Sequence, residues 1–157
     1  MLWRVGDKFL HVTRLGTIIM TISDDNRIRE IVFTKVGSEY AHYSSVQVDV
    51  TIKTNSLQGR FSSVWFDKLS IDRFLSELKQ LDETRKGEAK LESMSPDECV
   101  LIIKNIDAYG HLGVIIKVRA SKGYNYERQV NFHNLEIGFE IDPTSLGNIQ
   151  AELKRIK

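Results

Sequence analysis

The stretch from Trp65 to Ser95, WFDKLSIDRFLSELKQLDETRKGEAKLESMS, most constrains what this chain can fold into. It carries one helical period inside sequence that otherwise alternates like strands. Ile71, Phe74, Leu75, Leu78 and Leu81 recur at helical spacing and form one apolar stripe, while Asp72, Arg73, Glu77, Lys79 and Gln80 take other faces. Ser70 is the N-cap candidate, because its hydroxyl can accept from a first-turn amide, and Asp72 suits the positive end of the dipole. Gly87 can adopt the left-handed conformation that ends a helix. A helix of about 16 residues rises ~24 Å, close to the ~23 Å reach of a seven-residue strand. Such a helix can lie across a whole sheet face, so the stripe is predicted to be core.

Both flanks read as strands. Residues 15–22 are β-branched and apolar, Ser23-Asp24-Asp25-Asn26 is a turn cluster, and residues 28–36 resume a strand. Val46, Val48, Val50 and Ile52 interleave with Gln47, Asp49, Thr51 and Lys53, which marks a strand with one buried face. Asn55 to Gly59 can turn the chain back into residues 61–66. After the helix, residues 88–94, 98–106, 111–120 and 126–141 are predicted strands, with turns at 107–110 and 121–125. Asp142-Pro143-Thr144 opens a closing helix with Leu146, Ile149, Leu153 and Ile156 on one stripe. The predicted class is α+β: a largely antiparallel sheet of seven or eight strands with one central and one C-terminal helix packed on it. A single domain over residues 1–157 is expected, with no internal repeat.

Composition narrows the function classes. Twenty-two Lys+Arg against 21 Asp+Glu give a net charge of +1, without the basic excess of a nucleic-acid binder. No apolar run approaches the ~20 residues that span a bilayer, and the N-terminus lacks the apolar segment of a signal peptide. Cys99 is the lone cysteine and sits beside Val100 to Ile103, so a buried thiol is predicted. A cytoplasmic protein without membrane association is the resulting expectation.

No catalytic set emerges. His11, His42, His111 and His133 lack metal-ligand spacing, and neither a nucleophile elbow nor a phosphate-cradling glycine loop is present. No metal or cofactor is expected. Asp107 and His111 read as the two ends of a turn. Glu136, Glu140 and Asp142 share the polar face of the last strand, and Asp49 joins that acidic strip if both strands present the same face. Tyr40, Tyr43, Tyr109, Tyr124 and Tyr126 gather near turns, where tyrosine often serves interfaces.

The segment RFLSELKQLDETRKGEAKLESM, then Asp107-Ala108-Tyr109-Gly110-His111, then FEIDPTSLGNIQAELK resembles the WapI-type immunity proteins, small bacterial proteins that neutralise a cognate polymorphic toxin. Lys86-Gly87-Glu88-Ala89, Gly110-His111 and Phe139-Glu140-Ile141-Asp142 stand at that family's characteristic places. The resemblance spans Arg73 to Lys154, and the first 60 residues fit it loosely. It implies a non-enzymatic protein that binds a protein toxin, with a nuclease as one toxin class. The expected partner-facing residues are Asp49, Tyr109, His111, Glu136 and Glu140. Near-neutral charge implies either a weakly charged toxin or a local acidic patch. Two rival classes are a structural or regulatory module that forms homodimers through an open sheet edge, and a small-molecule-binding domain.

Overall fold

A computed structural model describes residues 16–121 and 132–156. The readings of Leu15, His11, the turn at 122–125 with Tyr124, and the strand start at Tyr126 lie outside the described residues. The chain runs β1 (Thr17–Ser23), β2 (Glu30–Glu39), β3 (Ser45–Lys53), β4 (Gln58–Asp67), α1 (Lys68–Thr84), β5 (Glu88–Glu92), β6 (Cys99–Asn105), β7 (Leu112–Ser121), β8 (Phe132–Ile141) and α2 (Ser145–Lys154). The eight antiparallel strands divide into two sheets of four, each a meander in sequence order. Each sheet is followed by one helix, so the unit ββββα occurs twice. The sequence shows that repeat only in the helices, where SIDRFLSELK (Ser70–Lys79) and SLGNIQAELK (Ser145–Lys154) share their serine and their Glu-Leu-Lys at matching positions.

Alternation along each strand drives one face inward. Val48, Val50 and Ile52 of β3, Leu101 and Ile103 of β6, and Val114 and Ile116 of β7 are buried in one continuous core. Ile71, Phe74, Leu78 and Leu81 of α1 enter the same core, as do Leu146, Ile149 and Leu153 of α2. The stripe is therefore core, as expected.

The caps of α1 differ from expectation. Asp67, not Ser70, is the N-cap: its carboxylate accepts from the Ser70 amide at 2.6 Å. Aspartate and serine both cap well, and the residue one turn earlier captures the free amide. Arg85, at φ 54°, is the left-handed residue that ends the helix, and Gly87, at φ 89°, makes a second left-handed step.

The helices cross between halves. Glu77 of α1 accepts from the Lys90 amide on the edge of β5 at 2.8 Å, and Glu152 of α2 accepts from the Thr21 amide on the edge of β1 at 2.9 Å. Each helix thus follows one sheet and caps the open edge of the other. Unpaired strand edges invite association, and a carboxylate on the edge amide closes them.

Candidate functional site

The first sheet commits its polar groups to its own construction. Its register shifts once in each strand pair. In β4, Ser62 and Ser63 together oppose Asp49, and Ser63 has φ 64°. Asp49 is only 6% exposed; it accepts from the Ser63 amide at 3.0 Å and pairs with Arg60. The carboxylate clamps the bulge, because a buried charge needs both a counter-ion and hydrogen bonds. Asp49 therefore lies apart from the other expected partner-facing residues, which belong to the second half.

The second sheet is regular, with no register shift. Its outward face is a grid. Glu88 pairs across to Lys104, Gly113 and Glu140; Lys90 to Ile102, Ile115 and Gly138; Glu92 to Val100, Lys117 and Glu136. Half-buried Val100, Ile102 and Ile115 form an apolar centre, and charged residues frame it. Gly113 is required in this face, since an added Cβ would come 2.8 Å from the Ile106 side chain. Glu136 and Glu140 are exposed here, and Lys117 reaches Glu136 at 3.5 Å.

At the head of β7, Asp107 organises a tight turn. Its carboxylate accepts from the Tyr109 amide at 2.8 Å and the His111 amide at 3.1 Å, and also meets His111 Nδ1. That side-chain bond holds Asp107 below the usual carboxylate range and raises His111 above the usual imidazole value, with Glu140 adding to the His111 shift. Tyr109 is 90% exposed, its ring 6.5 Å from that of His111. Tyr109, His111, Glu140 and Glu136 thus adjoin one face of the second sheet.

Beside this turn lies a cavity of about 510 Å³, lined among others by Arg85, Lys86, Gly87, Lys104, Asn105 and Tyr109. The Arg85 carbonyl accepts from the Asn105 side-chain amide, and its guanidinium pairs with Asp82 at 3.1 Å. Asp142 is held low chiefly by hydrogen bonds from Thr144, with Arg85 contributing. Three segments distant in sequence, around Lys86-Gly87, Gly110-His111 and Asp142, therefore converge on Arg85. Residue patterns singled out each segment, but not their meeting point.

A smaller cavity of about 260 Å³ occupies the corresponding corner of the first half, between the β2–β3 loop, the start of α1 and the end of α2. Val46, Ile71, Leu75, Leu153 and Ile156 line it together with Lys68, Asp72 and Lys154. Among the described residues no group of His, Cys, Asp and Glu could hold a metal. Burial pushes the Cys99 thiol up to about 12, with Glu98 adding to the shift, so it stays protonated at neutral pH. No helix among the described residues is long and apolar enough to cross a membrane.

Residues 20–156 match the model of the immunity protein WapI-like family, so the match reaches back through the first sheet. No curated protein matches the chain. Among solved structures, the chain is similar to one described as "Crystal structures of trypanosoma bruciei MRP1/MRP2"; the two are 14% identical over 90% of this chain and 84% of that one, with a TM-score of 0.45.

Proposed function

This chain belongs to the immunity protein WapI-like family, and we propose that it binds and neutralises a cognate bacterial protein toxin without catalysis of its own. It acts in the cytoplasm by covering the toxin's active site with a preformed surface. The outward face of the second sheet, with Tyr109, His111, Glu136 and Glu140, is that surface. The observation supporting this reading is that Glu136 and Glu140 stand on a face with an apolar centre, with Tyr109 and His111 exposed in the turn at its end. Apolar centres with polar rims are the usual anatomy of protein interfaces. The continuous register of β5–β8 needs little reorganisation on binding, which lowers the entropy cost. Glu88, Glu92, Glu136 and Glu140 stand on this face with Lys90, Lys104 and Lys117, so it offers a partner charges of both signs. The test is co-expression with the toxin encoded beside this chain. Rescue of growth and a complex on a sizing column are expected; unchanged toxicity with no complex would remove the proposal.

A further inference from the structure

The two sheets have four edges, and they are not treated alike. The edge of β1 is capped by Glu152 and that of β5 by Glu77. The edge of β4 gives its Trp65 carbonyl to the Met94 amide at 2.8 Å. Among the described residues, β8 takes its ladder hydrogen bonds only from β7, and no hydrogen bond from another element reaches its backbone. From Asn134 to Ile141 it is a long edge strand left open, the arrangement that accepts an added strand.

The side chains along this edge specify what can be added. On the outward face Glu136, Gly138 and Glu140 follow one another at every second position, all exposed. Gly138 leaves a gap beside Ile115, whose side chain an added Cβ would meet at 3.6 Å. Glu140 stands opposite Gly113 and makes no pair with Lys or Arg among the described residues. Glu136 has Lys117 on its inner side at 3.5 Å, an exposed pair that leaves it available to a second cation. On the opposite face Leu135 and Ile137 are half-buried against the core, with Leu135 near Gly59 of β4.

A second copy of this chain fits poorly in the register that sets Gly138 opposite itself. Antiparallel pairing of two β8 strands centred on Gly138 sets Glu136 of each copy opposite Glu140 of the other, and like charges directly opposed destabilise a sheet. We propose that β8 instead receives an extended segment of a protein partner as a fifth strand. Basic side chains would lie opposite Glu136 and Glu140, with an apolar one between them over Gly138. Apolar residues on the other face of that segment would cover Leu135 and Ile137. That the partner is the toxin rests on the immunity reading; the edge chemistry does not.

The probe is a short synthetic peptide with lysine–valine alternation on one face and valine on the other, compared with its glutamate counterpart. Fluorescence anisotropy against the full chain is expected to favour the lysine peptide by roughly tenfold, from two cross-strand pairs. N-methylation at alternate residues should abolish binding in one phase and spare it in the other, because only one set of amides faces β8. The doubly substituted E136K/E140K chain, checked for an unchanged melting temperature, should prefer the glutamate peptide. Absence of binding, equal binding of both peptides, or equal tolerance of both N-methylation phases would overturn the proposal. A toxin complex formed by a chain that fails these peptide tests would sink the edge-strand inference and leave the immunity reading standing.

Discussion

Strands β1–β4 shift register at every pairing, while β5–β8 hold one register throughout. Both sheets are four-stranded meanders ending in a helix. In the first, bulges bend the strands, and the one conspicuous acid on the outward face, Asp49, is consumed in clamping a bulge. In the second, a regular lattice displays charged and apolar residues in rows, leaving its glutamates to solvent. The corners differ in size, about 260 Å³ in the first half and about 510 Å³ in the second, and both carry lysines, Lys68 and Lys154 in the one, Lys86 and Lys104 in the other. Both halves supply the one core; on the proposed reading, the second half also presents the binding surface.

Substitutions can break or sharpen that division. The largest effect is expected at Phe74, fully buried where α1 serves both halves. Phe74→Ala should cost about 3–5 kcal/mol in chemical denaturation. Loss in a single transition would tie the halves together; two transitions would show that they unfold separately. Asp49→Ala should cost about 1–2 kcal/mol, because it strands the Ser63 amide at the bulge, while the half-exposed Arg60 turns to water. Toxin affinity measured on the folded variant should be unchanged, and a loss there would move the surface to the first sheet. Tyr109→Ala should do the reverse: melting temperature intact, toxin binding weaker by about 1–2 kcal/mol, as exposed aromatic anchors give. Glu77→Ala and Glu152→Ala should each cost about 1 kcal/mol and add when combined, since they cap different edges.

The smallest effect is pH dependence of the Asp107–His111 turn. His111 is raised on folding, so its contribution is full below the ordinary imidazole value of ~6.5 and fades as pH rises through the higher folded value. Asp107 is lowered, so its contribution is present above the ordinary ~3.9 and fades as pH falls through the lower folded value. The turn should be firmest between those two ordinary values. An NMR titration should place His111 above the ordinary imidazole value, and Asp107→Asn should return it toward that value.

Much of the fold is legible in the residues. The period-two runs place the strands, and the Ile71-to-Leu81 stripe places α1, because burial repeats with the geometry of each element. The division into two sheets is not legible: hairpin signals look the same whether a sheet continues or a helix starts a new one. Bulges also escape, since Asp49 keeps the parity of a polar-face residue while Arg60 and Ser63, far along the chain, bury it. Ser70 looks like a cap until Asp67 takes its amide. The site is legible in pieces only. Tyr109, His111, Glu136 and Glu140 stand out singly; strand pairing sets Glu136 and Glu140 on one face, and the Asp107 turn sets Tyr109 and His111 at the head of β7. The convergence on Arg85 joins segments separated by a whole sheet of sequence.

Hydrogen exchange of the chain, free and in complex with the proposed toxin partner, tests the division of labour most directly. Amides of residues 107–113 and along β8 should gain protection in the complex, while β1–β3 stay unchanged. Protection confined to β1–β3, with β8 exchanging as in the free chain, would contradict it.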